Sequence, residues 1–220
     1  MTPMARPTLI VVVGPTAAGK SDLGVAVAER VGGEVVNADS MQLYRGMNIG
    51  TAKLSPADRR GVPHHLLDVW DVTETASVAE YQRLARAVVD DLLQRDVTPV
   101  VVGGSGLYVR ALLDPMDFPG TDPAVRTRLE MELAKLGAPA LHARLTALDP
   151  AAGAAILPTN GRRIVRALEV VEITGRPFTA VLPPHTSLYA ATQIGLDVPR
   201  AELDRFIDQR VERMWQRGLV

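Results

Sequence analysis

Four residues in one short stretch have the types and spacing to hold phosphate. Gly14, Gly19, Lys20 and Ser21 stand as G-x-x-x-x-G-K-S in "GPTAAGKS", between a five-residue apolar run and a segment with helical spacing. In that setting the loop of Gly14, Pro15, Thr16, Ala17, Ala18, Gly19, Lys20 and Ser21 closes backbone N–H groups around phosphate oxygens. The helix N-terminus adds partial positive charge, Lys20 neutralises, and Ser21 can ligate Mg²⁺. Such a loop reads a diphosphate and says nothing of what the diphosphate is attached to. A guanine-reading N-K-x-D motif is absent from the sequence, which argues against a GTPase.

A second polar cluster, "NADSMQLYRG", follows an apolar "EVV". In a doubly wound sheet, ligands sit at the carboxyl ends of strands, so Asp39 is expected at the crevice that holds the phosphate loop. A carboxylate beside a diphosphate is electrostatically costly. Three roles would justify it: magnesium ligand, general base, or helix N-cap. The turn in "VVVGGSG" brings Ser105 to the same rim. "HHLLDVWDV" is a weaker signal. His64 and His65 are adjacent and point to different faces, which is poor geometry for one metal. Asp68 is either a magnesium ligand or structural, and the structural reading is preferred.

The elements that must position these groups alternate. Residues 9–13 read as a buried strand, followed by the glycine-rich turn and a helix that stops at Gly32-Gly33. "EVVN" is a second strand. A helix starts at Ser77, with Ser77 and Glu80 spaced as a capping box and Tyr81, Leu84, Ala85, Val88 and Leu92 on one face. "TPVVV" is another buried strand leading to a helix. Continuous apolar strands between helices predict a parallel sheet covered on both faces. From Pro115 to about Ser187 the pattern is helical only. Asp122-Pro123 reads as a cap and first turn, with Val125, Leu129, Leu133 and Leu136 at helical spacing. Residues 160–174 form another helix with Ile164, Ala167, Leu168 and Val171 on its apolar face. "ATQIGLDV" restores a strand, and a long amphipathic helix follows. The expected fold is therefore α/β, a P-loop NTPase-like parallel sheet flanked by helices. Its core takes residues 1–114 plus 188–220, with a helical insertion domain at 115–187.

Bulk composition narrows the function classes. Apolar residues make up 47% of 220, enough for a sizeable core, and 24 basic residues nearly cancel 25 acidic ones. A polycation coating nucleic acid or membrane is thereby excluded, while a local basic face is not. With no cysteine there is neither a disulfide framework nor a cysteine-bearing zinc site. The apolar run at 9–13 is too short for a signal-peptide core or membrane span, and a soluble cytoplasmic protein, a monomer without membrane contact, is expected.

Taken in order, "GPTAAGKS", "NADSMQLYRGMNIGTAK", "GVPHHLLDV", "VVVGGSGLYVRALL", "DPAVRTRLE", "NGRRIVRALEV" and "GRPFT" resemble the tRNA dimethylallyltransferases, from Leu9 to the last residue. That resemblance implies transfer of a dimethylallyl group from dimethylallyl diphosphate to N6 of the adenine 3′ of the anticodon. The partner would be the anticodon stem-loop of tRNA, and the cofactor Mg²⁺ on the diphosphate, with Ser21 as its protein ligand. By motif position, Asp39 would accept the proton of the adenine amino group. Thr16 would stabilise the departing diphosphate. Asp39, Ser40, Met41 and Gln42 would contact tRNA, as would Ser105, Arg126, Arg162, Arg163, Ile164, Val165 and Arg166. The family extends through a further helical part after the point corresponding to Val220. Where it tends to place an arginine before an isoleucine in the last helix, this chain has Phe206-Ile207. Arg205 or Arg210 would then contact the diphosphate, and "QRVERM" favours Arg210.

Charge distribution agrees modestly with that reading. Residues 121–185 carry eight basic and six acidic side chains, against eleven and thirteen in residues 1–114. Arg162, Arg163 and Arg166 fall opposite the apolar stripe, as a phosphate-gripping or simply solvated face would have them. Two rivals remain open at this level: prenylation of free adenine nucleotides, and a P-loop small-molecule kinase with Arg200, Arg205, Arg210, Arg213 and Arg217 as its lid.

Overall fold

The computed structural model describes residues 9–178 and 184–220. Residues 1–8 and Thr179, the last residue of "GRPFT", lie outside them. In chain order the elements are β1 (Leu9–Val13), α1 (Lys20–Val31), β2 (Glu34–Asn37), β3 (His64–His65), α2 (Val78–Gln94), β4 (Pro99–Val102), α3 (Gly106–Leu113), α4 (Pro123–Leu136), α5 (Ala138–Leu148), α6 (Pro150–Ala155), α7 (Gly161–Thr174), β5 (Ala191–Gly195) and α8 (Arg200–Gln216). They divide into two compact units, one of the described residues through Met116 with His185–Val220, the other Asp117–Pro184.

The first unit is built on a parallel sheet in the order β3-β2-β4-β1-β5. Alternate side chains of each strand feed opposite faces. Leu9, Val11, Val36 and Val101 pack with Tyr81, Ala85, Val89 and Leu92 of α2 and with Val109 and Leu112 of α3. Val12, Val35, Val100 and Val102 pack with Val25 and Ala28 of α1. Burial on both faces is why β1, β2 and β4 read as unbroken apolar runs. β5 departs from that pattern. It pairs with β1 alone, at one edge, and none of its residues is fully buried. β3, two residues long, forms the other edge through Val35↔His64 and Val36↔His65, and no strand was expected there. The capping box at α2 is half realised. Ser77 Oγ accepts from Glu80 N at 3.1 Å, while the Glu80 carboxylate pairs with Arg83 at 2.6 Å.

The second unit is helical and has its own core, in which Leu129, Leu141, Leu145, Ile164, Ala167 and Leu168 are buried together. Among the described residues, three of its four helices, α4, α6 and α7, have starts set by side chains. Asp122 accepts from Ala124 N and Val125 N, Asp149 from Ala152 N, and Asn160 from Arg163 N. Two details differ from the helical spacing in the sequence. Leu136, in the last turn of α4, is 57% exposed. On α7, Val165 and Val170 are buried where Val171 is only partly so. The cause is that α7 packs against both α4 and α5, which widens its apolar stripe beyond a single face.

Candidate active site

The phosphate loop, 14–19, leaves the end of β1 and delivers its chain to α1. Ala17 and Gly19 take left-handed backbone, at φ 62° and 83°, so the loop curls back on itself. Gly19 stands at the N-cap position of α1, and no side chain caps that helix. The helices of the second unit that start with Asp or Asn spend their first amides on that cap; here the amide end, with its partial positive charge, faces the loop. Lys20 Nζ donates to Pro15 O at 2.7 Å. Burial pulls the Lys20 ammonium below the ordinary lysine range, the Asp39 carboxylate pushes back, and Arg210 pulls in the same direction as burial.

Arg210 reaches the same place from α8. Its Nη1 donates to Thr16 Oγ1 at 3.0 Å, which ties the last helix to the loop. Burial lowers its pKa too, opposed by Asp39 and reinforced by Arg213. Of the two arginines the sequence left as candidates, Arg205 instead lies over the Phe206 ring, 5.5 Å from its centroid. Thr16, Lys20, Arg210 and Asp39 thus belong to one electrostatic cluster, with two cations and one carboxylate.

Asp39 leaves β2 two residues after Asn37. Asn37 is 4% exposed, and its side chain brackets Asp39: Asp39 N donates to Asn37 Oδ1 at 3.1 Å, and Asn37 Nδ2 donates to Asp39 O at 3.0 Å. One carboxylate oxygen, Oδ1, accepts from Met41 N at 2.9 Å. Asp39 therefore braces the turn that follows it, and because no helix starts there it is not the helix N-cap that was one of its three readings. Ala38 N donates to Val102 O at 2.8 Å. The two strand ends lie so close there that a Cβ on Gly103 would stand 2.2 Å from Ala38 O, and only glycine fits. Ser105 Oγ accepts from Ser40 N at 3.2 Å, joining the turn after β4 to the Asp39 turn. Beyond it Met41 is exposed and Gln42 Nε2 donates to Thr51 O at 3.1 Å. Lys20, Ser21, Asn37, Asp39, Gln42 and His64 are among the residues that line one small cavity.

The His-rich motif is structural. His65 Nε2 meets Glu34 Oε2 at 2.6 Å. His64 Nδ1 meets Val62 O at 2.8 Å, and burial lowers its pKa. Asp68 pairs at 2.6 Å with Lys53, whose side chain is 2% exposed and whose Nζ also donates to Tyr44 O at 2.7 Å. A buried ammonium needs that carboxylate, so Asp68 is committed to holding the "GTAK" segment and not to magnesium. Among the described residues there is no cluster of three His, Cys, Asp or Glu side chains able to hold a metal. The donors available at the loop are the Ser21 hydroxyl and the Asp39 carboxylate. That set suits a Mg²⁺ whose other ligands are substrate phosphates and waters, and not one held by a protein cage.

Five of the candidate RNA-contacting residues lie on α7 and one on α4, all in the second unit. Arg162 and Arg163 are exposed in the first turn of α7. Ile164 and Val165 are 0% and 1% exposed, with their side chains packed into the helical core. Arg166 is partly exposed. It falls opposite the apolar stripe but turns back, pairing with Glu169 at 2.7 Å and donating to Pro119 O and Gly120 O. Arg126 pairs with the same Glu169, which is fully buried and also accepts from Asp122 N at 3.2 Å. Both guanidiniums thereby have a structural partner, and part of each remains exposed. Asn37, Lys53 and Glu169 were missed in the sequence. Asn two residues before Asp at a strand end is a known turn signal, whereas the Lys53 and Glu169 pairings join segments remote in the chain.

A family model described as IPP transferase matches residues 42–220. The chain belongs to the IPP transferase family. It is 70% identical over 214 residues to a tRNA dimethylallyltransferase of Streptomyces avermitilis, covering 97% of this chain and 69% of the relative. With a tRNA dimethylallyltransferase of Thermobifida fusca it is 69% identical over 218 residues, 97% of this chain and 68% of the relative. Among solved structures, the full-length tRNA isopentenylpyrophosphate transferase of Bacillus halodurans is 42% identical with a TM-score of 0.64, over 96% of this chain and 67% of that one. A eukaryotic dimethylallyltransferase captured acting on tRNA is 28% identical with a TM-score of 0.82, over 96% of this chain and 53% of that one. The P-loop NTPase-like sheet is thus the family's fold. Among the described residues no helix is long and apolar enough to cross a membrane.

Proposed function

We propose that this chain is a tRNA dimethylallyltransferase, which moves a dimethylallyl group from dimethylallyl diphosphate to N6 of the adenine 3′-adjacent to the anticodon. The observation that carries the reading is the joint placement of a diphosphate cradle and a carboxylate at one rim: Lys20, Thr16 and Arg210 beside Asp39. A carboxylate at this rim suits alkylation of an amine, whose proton must leave as the new bond forms. In the reaction the C–O bond between the allyl carbon and the diphosphate breaks. A bond from adenine N6 to that carbon forms, and the N6 proton goes to Asp39. The loop of residues 14–21 holds the diphosphate as it leaves, with Lys20 and Arg210 neutralising it and the Thr16 hydroxyl donating to it. Mg²⁺ bound through Ser21 and the diphosphate oxygens would supply further charge neutralisation.

The helical unit grips the RNA, through Arg162 and Arg163 and through the exposed parts of Arg126 and Arg166, while the segment Asp39–Gln42 and Ser105 lie against the target nucleotide. An adenine in a stacked loop has to be swung out, at a cost of a few kcal/mol that backbone contacts offset. The enzyme acts as a monomer in the cytoplasm. The test is to incubate the protein with dimethylallyl diphosphate, Mg²⁺ and an anticodon stem-loop bearing adenine 3′ of the anticodon, then read the RNA by mass spectrometry. One prenyl group on that adenine is expected. Prenylation of AMP or ATP in preference to the RNA, or transfer of the ATP γ-phosphate, would replace this function with one of its rivals.

A further inference from the structure

Resting on that reading, we infer that Asn37 is the positioning residue of the reaction: its side chain sets where the Asp39 carboxylate stands. Every hydrogen-bonding atom of the amide is used. Oδ1 accepts from Asp39 N at 3.1 Å, and Nδ2 donates to Asp39 O and to Leu66 O, both at 3.0 Å. Only one orientation of the amide satisfies an N–H and two carbonyls together, so the assignment of O and N is fixed by chemistry. Asn37 itself is held rigidly. Its backbone pairs in register with Val102 of β4, and its carbonyl accepts from the buried Tyr81 hydroxyl at 3.1 Å.

The amide thus clamps both backbone polar groups of Asp39 to the last residue of a central strand. It also anchors Leu66, which takes left-handed backbone at φ 60°, in the segment after β3. Asp39 is past the strand and has no ladder partner of its own, so this clamp and the Met41 amide at its Oδ1 are what orient it. A base must stand within hydrogen-bond reach of the proton it takes, and small displacements are costly in rate. Among the described residues the Asn37 side chain hydrogen-bonds Asp39 and Leu66 and no residue of the phosphate loop, so its effect is expected on the chemical step and not on donor binding.

The test is a double-mutant cycle of single-turnover rates on the stem-loop RNA, using Asn37→Ala, Asp39→Ala and both together. Asn37→Ala is expected to slow transfer by about tenfold or more while the KM for dimethylallyl diphosphate stays within about twofold. Added to Asp39→Ala, it is expected to cost nothing further, because it acts only through that carboxylate. Asn37→Ser, which keeps one donor and one acceptor on a shorter side chain, should fall between the two, and it carries the same cycle if the alanine variant does not fold. Equal losses in both backgrounds, or a donor KM that rises in step with the lost rate, would overturn the positioning role. Failure of the underlying reading looks different: no prenylated RNA from the unmodified protein, or Asp39→Ala at full speed, and the role of Asn37 falls with it.

Discussion

At the scale of single residues, the site places opposed charges within reach of one another. If Thr16 and Arg210 act together on the leaving group, Thr16→Ala should lower turnover by about 10²-fold with the fold intact, as read by steady-state kinetics beside circular dichroism. Asp39→Ala should cost about 10²-fold or more, the usual range for a lost general base. Lys20 gives a pH dependence with a definite sign. The diphosphate binds the charged ammonium, so affinity is full below the Lys20 pKa and falls as pH rises through it. Because burial lowers that pKa, the alkaline loss of donor affinity should begin below the ordinary lysine value of about 10.4. The same shift means the unfolded chain holds its proton to higher pH, so between the two values stability rises with pH. A donor KM flat through that alkaline window would contradict the assignment of Lys20.

At the scale of elements, the close approach of β2 and β4 is what brings Asp39 over the phosphate loop. Gly103→Ala forces a Cβ against the Ala38 carbonyl, at 2.2 Å, where backbone and not a flexible side chain must yield. A loss of about 3 kcal/mol is expected, seen as a lower thermal midpoint together with slower transfer. In the helical unit, Glu169→Ala leaves two guanidiniums without their buried partner. A cost of about 2 kcal/mol is expected, less than for a fully buried pair because Arg126 and Arg166 are about a quarter exposed. Much of this architecture is legible in the chain because its signals are local. The apolar runs of β1, β2 and β4, the phosphate loop, and the caps at Ser77 and Asp122 each lie within a few residues. β3 is different, since two histidines become a strand only through Val35 and Val36 across a long connection. Ile164 and Val165 read as contact residues by motif position, yet packing on two sides makes them core. Asp39 was legible as a carboxylate at the rim. Its clamp by Asn37, and the reach of Arg210 to Thr16 across 194 residues, exist only in three dimensions.

At the scale of the whole molecule, each unit has a core of its own, so donor binding and RNA binding should separate. Replacing Arg162 and Arg163 together by alanine should raise the KM for the stem-loop about tenfold and flatten its salt dependence, while the KM for dimethylallyl diphosphate is unchanged. Filter-binding titrations across a salt series would show it. The central claim is that one rim both releases diphosphate and deprotonates an RNA adenine. The most direct measurement follows pyrophosphate release and RNA prenylation together in a single turnover, for the unmodified protein and for Asp39→Ala. The expected result is equal and simultaneous appearance of both products, slowed together by the substitution. Pyrophosphate released without prenylated RNA, or a time course that Asp39→Ala leaves unchanged, would contradict it.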